Sequence, residues 1–142
     1  MGRTISDDEA AEAAWNVQLP SLKLDMPLAN NDSIKQLRAA RGARAYADIG
    51  VWLQLCSIAT SYKGHALPLD YGQIADWLFG NSGKSTIAAG HVNALAAAGL
   101  AIPCDDGRLY LPVIEAETVR HGKMIVGGSR GGRPQGKRKR RR

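Results

Sequence analysis

The sequence predicts a mostly α-helical domain with a small β-hairpin, and three observations predict it. Two helix-length segments, 71–79 and 84–98, are separated by the tight turn Gly80-Asn81-Ser82-Gly83. The second is followed at once by two alternating apolar runs joined through Asp105-Asp106-Gly107, residues suited to a hairpin turn. A short apolar run at 65–69 precedes the pair and can complete a three-stranded sheet with the hairpin. In order, these parts make a winged helix-turn-helix.

The elements follow in chain order. Trp15 to Pro27 carries Leu22 and Leu24 between polar neighbours and is punctuated by Pro20 and Pro27, the pattern of an extended segment or edge strand. Asn30, Asn31, Asp32 and Ser33 are helix-capping residues, and a first helix is expected over 34–41 with Gly42 ending it. A second helix is expected over 43–62. Tyr46, Ile49, Leu53, Cys56 and Ala59 fall on one face, which Trp52 and Leu55 widen. Lys63-Gly64 reads as a turn and 65–69 as a short strand. Asp70 can cap a third helix over 71–79, with Ile74, Trp77 and Leu78 inward. The fourth helix, 84–98, ends at Gly99. Leu100, Ile102 and Cys104 alternate on one hairpin strand, and Leu109, Leu111 and Val113 on the other.

Charge divides the 142 residues further. The chain carries +6 overall. Residues 1–32 hold six acids and two bases, 33–117 hold seven of each, and 118–142 hold ten bases and no acid. The expected organisation is an acidic flexible head (1–14), loose or a short frayed helix over its first dozen residues, a neutral winged-helix domain (15–117) and a disordered basic tail (118–142), because the glycine-rich tail has too little apolar surface to offset its ordering entropy. The size excludes a multidomain enzyme. Composition excludes collagen, a coiled-coil rod and a disulfide scaffold. No run of apolar residues approaches the ~20 needed to span a membrane, and the start is acidic where a secretory leader is basic. A cytoplasmic protein is expected, without a membrane partner or a small-molecule substrate.

On a helical wheel for the fourth helix, Ile87, His91, Ala94, Leu95 and Ala98 cluster as the expected core face. Ser85, Thr86, Ala89, Asn93 and Ala96 lie opposite. If this helix enters a groove, Asn93 can read adenine through two hydrogen bonds. Lys84, Ser85 and Thr86, with the free N–H groups of the helix start, can hold a phosphate. Ala89 permits close approach, and Arg108 at the wing can add a phosphate contact. The face has no arginine, so modest sequence specificity is expected, and packing on a protein partner is the alternative.

Several signals resemble catalytic motifs and fail on inspection. Gly80-Asn81-Ser82-Gly83-Lys84-Ser85-Thr86 lacks the first glycine of a phosphate-binding loop, since Leu78 stands there. Gly127-Gly128-Ser129-Arg130-Gly131 has the spacing of a nucleophile elbow but lies in the basic tail. His65, His91 and His121 have no metal-ligand spacing with one another or with Cys56 and Cys104. The cysteines read as reduced apolar fillers. No enzyme, cofactor or metal is expected. The tail cations Arg130, Arg133, Lys137, Arg138, Lys139, Arg140, Arg141 and Arg142 predict salt-sensitive binding to nucleic acid. Gly132-Arg133-Pro134 resembles an AT-hook core, with Gly131 where the hook has arginine.

Over about residues 20–115 the chain resembles the N-terminal winged-helix domain of phage and prophage replication proteins. The matching parts are Asp32 before the first helix, Gly42 before the long one, Leu53 with Leu55 on it, and Leu67-Pro68 leading into the helical pair. The run QIADWLFGNSGKSTIAAGHVNALAAAGLAIPCDDGRLYLPV continues the pattern, and a basic Gly-Gly-Arg-Pro tail recurs beside such domains. The resemblance implies duplex DNA binding in replication initiation or its regulation, with replication or regulatory proteins as further partners. Against the family pattern, a domain that engages a helicase loader is not expected after the basic tail. The alternative expectation is a protein-interaction module whose basic tail holds RNA or DNA nonspecifically.

Overall fold

Side-chain caps set the starts of three helices. Ser6 accepts from the Glu9 N–H at 3.1 Å ahead of α1 (Asp7–Ala13). Asn31 accepts from Ser33 and Ile34 at 2.9 and 3.1 Å ahead of α2 (Asp32–Arg41). Asp70 accepts from Gly72 and Gln73 at 3.0 and 3.2 Å ahead of α4 (Tyr71–Phe79), and Gly80 ends that helix in the left-handed conformation. In this computed structural model, residues 5–15, 17–20, 24 and 28–131 are described. The remaining helices are α3 (Ala45–Ala59), entered through a 3-10 turn at Gly42–Arg44, α5 (Ser85–Ala97) and α6 (Pro112–Gly131). The strands are β1 (Leu67–Pro68), β2 (Ile102–Pro103) and β3 (Arg108–Tyr110).

The chain is thus mostly helical with a small antiparallel sheet of order β1-β3-β2. Leu67 pairs with Leu109, and Ile102 with Tyr110. Gly107, at a φ of 79°, closes the β2–β3 turn. Leu67 and Leu109 are fully buried and join the sheet to Trp52, Leu55, Cys56, Ile74, Val92, Leu95, Leu111 and Ile114 in one core. The short strand at 65–69 and the hairpin form the expected three-stranded sheet, with fewer paired residues. Of the extended run expected over Trp15 to Pro27, residues 16, 21–23 and 25–27 lie outside the described residues.

Three expectations are corrected. The inward face of α3 is Ala45, Asp48, Val51, Trp52, Leu55, Cys56 and Ala59, while Tyr46 and Leu53 are exposed. The carboxylate of Asp48 in the middle of the true face turned the apolar pattern a step around the helix. Second, the alternating run ends at Leu111. Pro112 opens α6, a position where its missing N–H has no intrahelical role, and the Leu111 carbonyl accepts from Ile114 and Glu115 at 2.8 and 3.0 Å. Val113 is therefore helical.

The third correction concerns the ends. Residues 118–131, expected as disordered tail, continue α6, and the acidic head forms α1 packed against it. Ala10 and Ala14 are fully buried. A Cβ added at Gly122 would stand 1.7 Å from the Ala10 carbonyl oxygen, so the two backbones meet at that glycine. Lys123 pairs with Asp7 at 3.0 Å, and Ile5 lies near Gly127. Rising numbers on α6 meet falling numbers on α1, so the helices run antiparallel. His65 ties the N-terminal segment to this layer. It has a positive φ of 57°, uncommon outside glycine. Its Nε2–H donates to the Val17 carbonyl at 2.7 Å, and its Nδ1 lies 3.1 Å from the Thr118 hydroxyl of α6.

Candidate nucleic-acid interface

The residues assigned to recognition lie along α5 and its approach. Asn81 accepts from the Gly83 N–H at 2.9 Å and starts a 3-10 turn at Ser82–Lys84. Lys84 is exposed at the head of α5, where no side chain caps the helix and no acid stands in the first turn. The first N–H groups of α5 therefore have no side-chain acceptor, and the helix dipole adds positive potential there. Ser85 is half-buried and Thr86 exposed.

The wheel orientation needs correcting. Ala88, Val92, Leu95 and Ala98 face the core. The open stripe is Thr86, Gly90, Asn93 and Ala97, at i, i+4, i+7 and i+11. Ala89 and Ala96 are half-buried on one flank. Ile87, expected inside, is 51% exposed on the other. In a helix this rich in alanine the apolar pattern is flat, and one isoleucine pulled the inferred axis toward itself. The outcome for the site is that Thr86 and Asn93 do share an open face, and that Gly90 lies between them with nothing within 4 Å of where its Cβ would stand.

Beside α5 lies a polar cluster that sequence reasoning missed. Asp48 of α3 is fully buried. Its Oδ2 accepts from Arg41 Nε at 2.8 Å, and its Oδ1 from Arg41 Nη2 at 3.2 Å. Oδ1 also accepts from Nδ1 of His91 on α5 at 2.8 Å. Burial pushes the Asp48 carboxyl up, but the hydrogen bonds from Arg41 and His91 outweigh it and hold the group below the usual carboxylate range. The same hydrogen bond raises Arg41. The His91 ring rests against Phe79, centroids 6.4 Å apart. The available signal was Asp48 itself, in helical register with Trp52, Leu55 and Ala59.

The wing differs from expectation. Arg108 is half-buried, and its Nη2 donates to the carbonyls of Lys63 and Ala66 at 2.6 and 2.7 Å. Through Nη2 the cation expected to meet a phosphate also fastens β3 to the segment that follows α3, and its Nε and Nη1 take no part in these two bonds. The turn beside it carries exposed Asp105 and Asp106. Asp106 accepts from the Tyr110 hydroxyl at 2.6 Å, which raises that phenol. Exposed cations stand elsewhere, at Lys35, Arg38 and Arg44 on α2 and the turn after it.

No known protein family, curated protein or solved structure gives a significant match to the chain. The site therefore rests on geometry and charge alone. Arg130 lies on the last turn of α6, and Arg133, Lys137, Arg138, Lys139, Arg140, Arg141 and Arg142 lie outside the described residues. Among the described residues no group of three or more His, Cys, Asp or Glu could hold a metal ion, and no helix is long and apolar enough to cross a membrane. Cys56 is buried in α3, and burial pushes its thiol up to about 12, so it stays protonated and inert. Cys104 is also unpaired.

Proposed function

We propose that the chain is a small duplex-DNA-binding protein of the winged-helix type, with α4 and α5 as the helix-turn-helix and β2–β3 as the wing. One observation carries the reading. In the order α3-β1-α4-α5-β2-β3, α5 presents an open, uncharged stripe of small side chains, with a cation and no capping side chain at its head. Small side chains let a helix backbone come close to base edges, and Asn93 supplies two-point hydrogen bonding to adenine. Affinity comes mainly from cations outside α5, above all those of residues 118–142. The resemblance to phage and prophage replication proteins makes replication initiation or its regulation in a phage or mobile element the fitting role, in the cytoplasm.

The test compares the full chain with a chain ending at Gly131 in binding to duplex DNA at rising salt. The shorter chain keeps α6 and its contact with α1. It should retain weak binding with a shallower salt dependence. Changing Ser85 and Asn93 together to alanine should reduce that remaining binding, by ~1–3 kcal/mol if Asn93 makes a two-point base contact. Absence of duplex binding by either chain at low salt overturns the proposal.

A second reading rests on the exposed Ile87 and on Phe79, 51% and 39% exposed on one flank of α5. It makes α5 a protein-docking face and leaves nucleic acid to the tail. On that reading the shorter chain binds no duplex, and the full chain binds RNA and DNA alike.

A further inference from the structure

The regional charge count gives residues 33–117 no net charge, yet the fold does not mix the two signs evenly. From Ser33 to Leu69 the bases are Lys35, Arg38, Arg41, Arg44 and Lys63, and the only acid is Asp48, which is buried. The remaining acids of this region are Asp70, which caps α4, Asp76 on that helix, and those of the β2–β3 turn and α6. Arg41 is the base that touches the α5 neighbourhood, because Asp48 accepts from it and from His91 of α5 through the same carboxylate.

The geometry of that contact matters. Arg41 meets Asp48 side-on, through Nε and Nη2. Its Nη1 takes no part in that contact, and the side chain is 27% exposed. A guanidinium held along one edge keeps its other donors in a fixed fork, the arrangement that suits a phosphate. A wholly buried carboxylate costs desolvation that an apolar residue would avoid, so the cluster does not add stability merely by being ionic. What it does is fix Arg41 relative to α5, through His91.

Resting on the DNA-binding reading, we propose that Arg41 holds one phosphate of the duplex backbone beside α5, with Asp48 as its positioning residue. The contact supplies a cation on this side of α5, away from the wing. It also fixes the register of the helix on the duplex, since phosphate contacts orient and base contacts specify.

The experiment measures duplex binding by the full chain against salt, with thermal unfolding as the check on folding. Arg41→Gln should weaken binding on the order of tenfold and lower the slope of log affinity against log salt by about 0.9, the value for one lost phosphate contact. Arg41→Lys should restore the slope while recovering only part of the affinity. Should Arg41→Gln fail to fold, the pair Arg41→Gln with Asp48→Asn removes the unpaired buried charge. That pair leaves the net charge of the chain unchanged, so a lower slope in it reports a lost contact rather than bulk charge. If the parent binds and neither the single nor the paired change moves the slope, the inference is overturned while the DNA-binding reading stands. Failure of Arg41→Lys to restore the slope overturns it as well. If the parent itself does not bind duplex DNA at low salt, both fall together.

Discussion

Replacing Gly122 with alanine should push α1 off α6 without unfolding the rest of the chain. The new Cβ would lie 1.7 Å from the Ala10 carbonyl oxygen, 2.4 Å from its carbon and 2.8 Å from its Cα. All three are backbone atoms, so no side-chain rotation relieves the contact. To restore ordinary separation α1 must retreat by roughly 1.5 Å. That retreat opens the packing of Ala10 and Ala14, which is now complete. Overpacking of this kind costs ~1–3 kcal/mol, and the better helix propensity of alanine returns up to ~1 kcal/mol. The net loss then lies between about 0 and 3 kcal/mol. It is taken up by α1, because this helix is short and meets α6 through small side chains and the exposed Asp7–Lys123 ion pair. Hydrogen exchange of residues 7–14 is the assay. Their protection should fall strongly in Gly122→Ala while that of α3 and α4 is kept. Gly128→Ala is the control, on the same helix with nothing within 4 Å of its Cβ; it should leave α1 protected and raise stability slightly. Equal protection of α1 in both variants would refute the close backbone contact.

Further outcomes follow from the caps and the buried cluster. Asp48→Ala leaves Arg41 and His91 facing an empty site and should cost ~3–5 kcal/mol, measured by chemical denaturation; a loss under about 1 kcal/mol would contradict the burial of the cluster. Because the Asp48 carboxyl is held below its usual range, its contribution is present above the unfolded carboxylate value, near pH ~4. It is lost as pH falls through the lower folded value. Asp48→Asn should therefore flatten the acid limb of the stability curve, and an unchanged limb would count against the shift. Asn31→Ala removes the acceptor for two N–H groups at the head of α2 and should cost ~0.5–2 kcal/mol, whereas Asn31→Asp should be nearly neutral in a thermal melt.

The parts of this fold legible in the sequence are those with local chemical markers. Asn31 and Gly42 bracket α2, Asp70 and Gly80 bracket α4, and Asp105-Asp106-Gly107 turns the hairpin, because each marker acts on backbone within a few residues of itself. The parts that were not legible depend on distant partners. The α1–α6 layer is built on Ala10, Ala14 and Gly122, residues whose value is their lack of bulk and which leave no hydrophobic period to read. Pro112 did mark the start of α6, but the alternation of Leu109, Leu111 and Val113 spoke for a strand across it. At the candidate site, Thr86 and Asn93 were placed together because i and i+7 share a face whatever the exact axis. Ile87 was placed wrongly because axis and packing partner are the same question. The place of Arg41 is not legible in the sequence because it depends on Asp48, which meets His91 forty-three residues later on a different helix.

The distribution of charge then constrains how a duplex would meet the domain under the proposed function. The wing turn carries Asp105 and Asp106, exposed, and Arg108 beside them is half-buried, with Nη2 held by two carbonyls. A phosphate backbone approaching the wing tip would meet the like charge of these two carboxylates. On the α2 side, Lys35, Arg38 and Arg44 are exposed beside Asp32 at the head of α2, also exposed, whereas Asp48 is buried and paired. Coulomb interaction between exposed groups reaches about 8 Å at physiological salt, which is less than the span of the domain, so the two sides act separately on the backbone. A duplex seated on the α5 stripe would accordingly lean toward α2 and away from the wing. Under the proposed function this inverts the use of the wing as a phosphate clamp: Leu109 of β3 is committed to the core, and the work of holding the backbone would fall to the arginines before α3 and to the basic residues of 118–142.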